Sequence, residues 1–174
     1  DIACCIATGK SFHGKSVQKG PFVYIAGEGQ NGLKRRFEAW RIQNGINLDD
    51  YPIYLALIPA ALTDSEQVEE VKKEIRSIIE ECDQPPAAIC FDTVARNFGS
   101  GDENSTKDMT AFVAAADEIR SEFGSAIIFV HHSGHADKSR GRGSMALKGA
   151  LDTEYRLEKG DTGIVNMTNT KMKD

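Results

Sequence analysis

"ATGKSFHGKSVQKGPFVYIAGEG", residues 7–29, holds the two features on which the fold turns. Gly9–Ser16 fits G-x-x-x-x-G-K-[ST], the pattern of a loop that cradles phosphates on its backbone N–H groups. Such a loop works between a strand and a helix, because the helix N-terminus turns N–H groups and a positive dipole end toward the anion. After Ser16 only Val17, Gln18 and Lys19 precede Gly20-Pro21, too few for a helix. Ahead of the loop, "DIACCIAT" reads as a strand or as a helix end, with Ile2, Cys5 and Ile6 at i, i+3, i+4 and Gly9 as a C-terminal stop. The expectation is a basic loop joining a helix to the strand "FVYIAGE" (22–28), which Gly20-Pro21 introduces.

Outward from that strand, apolar runs alternate with helical patterns. "NGLKRRFEAWRIQNG" places Leu33, Phe37 and Trp40 at i, i+4, i+7 and ends at Gly45. "IYLALIP" (53–59) is a second strand. "LTDSEQVEEVKKEIRSIIEECD" opens on Thr63 and Glu66 as a capping box and carries a stripe of Val68, Val71, Ile75, Ile78, Ile79 and Cys82. "AAICFD" (87–92) is a continuous apolar strand ending in an acid. A helix through Met109, Phe112, Val113, Ala116 and Ile119 stops at Gly124, and "SAIIFVHH" (125–132) is a fourth buried strand. The C-terminal stretch predicts a hairpin turning at Gly160–Gly163. Strands apolar on both faces between amphipathic helices predict an α/β fold with a parallel sheet covered on both sides. Ligands on such sheets bind beyond the carboxyl ends of the strands, here Glu28, Asp92 and His131/His132.

The 174 residues suffice for one domain with a sizeable core. A net charge of −5 excludes a global basic footprint for nucleic acid, but the acidic excess lies in Asp64–Asp83 and Asp102–Asp108, which leaves room for a local basic face. No apolar run reaches membrane-spanning length. Cys4, Cys5, Cys82 and Cys90 form no C-x-x-C pair and read as reduced core residues of a cytoplasmic protein. His131, His132 and His135 make H-H-x-x-H, which differs from the helical zinc motif H-E-x-x-H. The "GSGDENSTKD" loop, with Asp102, Glu103 and Asp108, lacks the spacing of a calcium-binding hand and reads as a solvated loop.

The motif order resembles the RecA-like P-loop ATPases, in particular the RepA-type hexameric replicative helicases of plasmids and prophages, and more distantly DnaB-type helicases. The matching segments are "VYIAGE", "AICFD", "IIFVHH", "RGRGSMALKGALD" and "TKMKD". The resemblance spans the whole chain and implies a RecA-like three-layer sandwich, residues 1–174 forming one ATPase core. Its mainly parallel sheet would be followed by a C-terminal β-hairpin. It also implies that "DIACCIA" ends the helix after the true P-loop, so that the first strand and the P-loop would lie before Asp1, the absent strand falling between "IIFVHH" and the hairpin.

The resemblance further implies a motor that hydrolyses MgATP between subunits of a homo-hexameric ring and moves on single-stranded DNA. Asp92 would hold Mg²⁺, with the Thr93 hydroxyl beside it. Glu28 would act as the general base that orients the attacking water. One of the strand-end histidines, His131 by preference, would sense the γ-phosphate. Lys171 and Lys173 would reach a neighbour's nucleotide, although Lys173 replaces the family's arginine. Lys138, Arg140, Arg142 and Lys148 would track the nucleic-acid backbone. Structural alternatives stand beside these: a helix-capping Asp92 or Glu28, a structural histidine, a solvated basic loop. Two rival functions also remain, a catalytically silent assembly or DNA-binding module and a compact NTPase that uses Gly9–Ser16.

Overall fold

In the computed structural model, which describes residues 1–134 and 141–173, the first helix and the first strand fall where the opening stretch predicts. Helix α1 (Ile2–Thr8) is closed by Gly9 in the left-handed conformation, φ 79°, whose N–H bonds the carbonyl of Cys5. Gly9–Ser16 then forms a tight turn, with Phe12 and Lys15 bridged backbone to backbone, and no helix follows before β1 (Phe22–Ala26). A helix precedes the P-loop pattern and a strand follows it, the reverse of what phosphate cradling needs.

The remaining elements are α2 (Gln30–Asn44), β2 (Ile53–Ala56), α3 (Ser65–Cys82), β3 (Ala88–Asp92), α4 (Val94–Asn97), α5 (Thr106–Phe123), β4 (Ala126–Val130), α6 (Met145–Ala150), β5 (Thr153–Lys159) and β6 (Val165–Met172). Four parallel strands pair in the order β2-β1-β3-β4, and β5-β6 form a separate antiparallel hairpin. The α/β reading and the C-terminal hairpin are both realised. The architecture is RecA-like, and β2 and β4 are the two edge strands of the sheet.

Alternation along the strands sorts side chains to two faces. Val23, Ile25, Ile89, Phe91 and Phe129 meet α3 and α5 in the main core, where Phe112 packs between Phe98 and Phe129. Phe22, Tyr24, Ala88, Cys90 and Ile128 face α1 through Ala3 and Ile6. Trp40 of α2 reaches the same side, its indole N–H bonding Asp1 at 2.9 Å. The sheet is therefore covered on both faces, with a thick core on one and a thin one on the other.

Two local details differ from the sequence reading. Helix α3 is capped by Asp64, whose carboxylate accepts the Glu66 N–H, while the Thr63 hydroxyl donates to the carbonyl of Phe98. The capping-box spacing is present, but Thr63 is occupied in tying α3 to the segment after α4. Lys72 lies within the apolar stripe, its side chain covered. It bonds Glu69 at 2.9 Å and Glu118, with Glu122 3.4 Å away, so it clasps α3 to α5 through long-range ion pairs.

Candidate functional site

Strands β1, β3 and β4 end in register, Ala26 opposite Asp92 and Asp92 opposite Val130. The N–H of Gly27 bonds the carbonyl of Asp92 at 2.6 Å, so the tips of β1 and β3 are tied together. A methyl group at Gly27 would overlap Cβ of Arg96, which is why only glycine lets the chain leave β1 against α4. The close approach this glycine permits is to Arg96.

Glu28 follows directly. Its carboxylate accepts Nε–H of Arg96 at 3.1 Å and lies 3.3 Å from Nε2 of His132. Arg96 first, then His132, hydrogen-bonds the charged form and holds the Glu28 carboxyl below the ordinary glutamate value. The cap of α2 is Gly29, φ 69°, with no side-chain bond, so Glu28 is not a helix cap. A cavity of about 430 Å³ opens here, lined by residues 27–32 and Arg96.

Asp92 points to the α1 face. The Tyr24 hydroxyl of β1 donates to its Oδ2. Burial and that bond together push the Tyr24 phenol well above its usual value, so it remains a donor. Thr93 stands at the N-cap of α4 without bonding it, and its hydroxyl is buried with no hydrogen-bond partner. Asp92 therefore caps no helix. Beneath this corner, buried Asn97 accepts the Ala60 N–H and donates to the Thr93 carbonyl, both at 2.9 Å.

The two histidines diverge. His132 meets Glu28, whereas His131 Nε2 lies 2.6 Å from the carbonyl of Arg142, with Gly141 close against its ring. The Arg142 N–H bonds the His132 carbonyl at 3.0 Å, so the backbone of Arg142 is fastened to the tip of β4. The Arg142 guanidinium forms a two-point pair with Glu103 at 2.8 and 3.2 Å. Gly143 packs on the Glu103 backbone, where a Cβ would come within 2.7 Å of its carbonyl oxygen.

The other basic candidates are engaged within the chain. Lys148 pairs with Glu154 at 2.9 Å. Lys171 donates to the carbonyls of Lys148 and Gly149, and Lys173 to Ala150 and Asp152, so both lysines satisfy the C-terminal end of α6. Lys138 and Arg140, like His135, lie outside the described residues.

The structure thus brings Glu28, Asp92 and the histidine pair to one edge of the sheet and leaves Lys171 and Lys173 on α6. Sequence reasoning missed Tyr24, Arg96 and Asn97. A phenol inside a buried strand signals a needed partner, but nothing local says which residue provides it.

Among the described residues no helix is long and apolar enough to cross a membrane. No curated protein matches the chain. Residues 1–138 of the 174 match the family described as an AAA domain. With parallel-sheet tips carrying acids and a polar strand end, and that match over most of its length, the chain belongs to the AAA domain family of P-loop-type ATPases.

Proposed function

We propose that this domain is the motor core of a RepA-like replicative helicase, hydrolysing MgATP between subunits of a ring and moving on single-stranded DNA. The observation that carries the reading is the convergence of Glu28, Asp92 and His132 at the tips of three adjacent parallel strands, where α/β sheets bind ligands. On this reading Gly9–Ser16 is a structural turn, with a helix before it and a strand after it.

The donors at the tip of β3 fit a hard divalent cation. One Asp92 oxygen is held by Tyr24, no described group donates to the other, and the neighbouring Thr93 hydroxyl is buried without a partner. Among the described residues no group of three or more His, Cys, Asp or Glu is placed to hold a metal ion by itself. Mg²⁺ takes one or two carboxylates and draws its remaining ligands from phosphates and water. When bound, the ion neutralises charge on the phosphates.

Glu28 is the general base. Its carboxylate is ionised at neutral pH, is 37 % exposed and borders the cavity. Arg96 and His132 hold it in place until substrate arrives. The adjacent His131 is bonded to the Arg142 carbonyl, so the His131-His132 pair joins the base to Arg142. The sensor role is divided on this reading: His132 contacts the base and His131 the backbone of Arg142.

The test is ATP turnover by the protein containing these residues, with and without single-stranded DNA. The reading expects Mg²⁺-dependent hydrolysis that DNA stimulates and that Lys15→Ala leaves intact. Absence of turnover with DNA present would favour the silent module, and loss of turnover in Lys15→Ala the compact NTPase.

A further inference from the structure

We propose that Tyr24 is a positioning residue for Asp92: its hydroxyl fixes one carboxylate oxygen so that the other alone is presented to a divalent cation. The inference deepens the metal role proposed above for Asp92 and rests on it.

Tyr24 sits midway along β1 on the face that meets α1, among Ala3, Phe22, Ala88 and Cys90. Those neighbours are apolar, and a phenol packed against them needs a partner. Among the described residues its partner is Asp92. The parallel register explains the reach. Cys90 is directly across from Tyr24, and Asp92 is across from Ala26, whose single methyl group leaves space for a ring directed along the strand toward the tip.

The consequence concerns geometry at the carboxylate. An unheld aspartate rotates and offers either oxygen, or both, to a cation. With Oδ2 accepting from Tyr24, Oδ1 is the remaining ligand, on the side away from the phenol. The buried, unpartnered hydroxyl of Thr93 is attached at the next residue, which adds a second oxygen beside the same tip. Hydrogen-bond partners that orient a metal-binding side chain typically contribute about 10–100-fold to metal affinity.

The test is Mn²⁺ binding, read by electron paramagnetic resonance and water-proton relaxation, on the wild-type protein, Tyr24→Phe and Asp92→Asn. Tyr24→Phe retains the ring and removes only the donor. The inference expects Asp92→Asn to abolish the site and Tyr24→Phe to weaken it about 10-fold, with the thermal midpoint nearly unchanged. Tyr24→Leu, which lacks both ring and hydroxyl, should weaken Mn²⁺ as much as Tyr24→Phe. Wild-type affinity in a folded Tyr24→Phe would overturn the role of Tyr24 while leaving the metal role of Asp92 standing. No Asp92-dependent Mn²⁺ binding in the wild type would overturn both. Failure of both Tyr24 variants to fold would assign the residue to packing and overturn the inference as well.

Discussion

Replacing Asn97 with alanine tests whether the corner behind Asp92 is held from within the core. Asn97 has no exposed surface. Its side chain accepts the N–H of Ala60 and donates to the carbonyl of Thr93, while its own carbonyl accepts the N–H of Leu62 at 2.9 Å. Alanine keeps the backbone bond and removes the other two, at unequal cost. The Thr93 carbonyl retains the N–H groups of Arg96 and Asn97, so its loss is that of an ordinary bond, about 0.5–1.5 kcal/mol. The Ala60 N–H is buried and is left without a partner, which costs about 1–3 kcal/mol. The expected destabilisation is about 2–4 kcal/mol, and at roughly 2–4 °C per kcal/mol for a domain of this size Tm falls by about 10 °C. Urea unfolding is the assay, with the midpoint lowered and the slope unchanged. A change under about 0.5 kcal/mol, the level of an uninvolved surface position, would refute the reasoning.

Three further outcomes follow from the site. The Glu28 carboxyl titrates below the ordinary glutamate value, so its contribution to stability is full above that value and is lost as pH falls through the lowered one. Carbon-13 NMR should show the Glu28 midpoint rising toward the ordinary value in Arg96→Ala, and an unmoved midpoint would mean that the pair does not form in solution. Gly27→Ala should cost about 1–3 kcal/mol because its methyl group overlaps Arg96 Cβ, whereas Gly32→Ala, inside α2 with only the Arg36 guanidinium near, should be neutral or stabilising by up to about 1 kcal/mol. Equal Tm values for the two variants would contradict the packing argument. Glu103→Gln releases Arg142 and should tighten single-stranded DNA binding several-fold at low salt, steepening the salt dependence by about 0.7; unchanged anisotropy titrations would assign the pair a purely structural role.

The elements were legible wherever a local pattern sets them. The runs at Phe22–Ala26, Ala88–Asp92 and Ala126–Val130 became the inner strands and β4, and Gly9, Gly45 and Gly124 closed the helices that their positions predict. Glu28 and Asp92 were legible as strand-terminal acids. Their partners were not, because Tyr24–Asp92 and Arg96–Glu28 each join residues 68 apart and His132–Glu28 residues 104 apart. Such contacts depend on strand order and register, which no single segment encodes. Lys171 and Lys173 show the converse. Their charge is evident in the sequence, but its use is set by α6, whose exposed terminal carbonyls lie within reach. Lys72 is a charge within an apolar stripe that the stripe conceals, and only the carboxylates of the next helix account for its burial.

The central claim, that Glu28 at the tip of β1 performs base catalysis in an ATPase site assembled on this sheet edge, is tested most directly by steady-state ATP hydrolysis in Glu28→Gln. Measurement belongs in the protein that contains these residues, with Mg²⁺ and single-stranded DNA present. The account predicts that kcat falls by about 10²–10⁴-fold while KM for ATP stays within a few-fold and the fold is preserved. Hydrolysis undiminished in Glu28→Gln would contradict it.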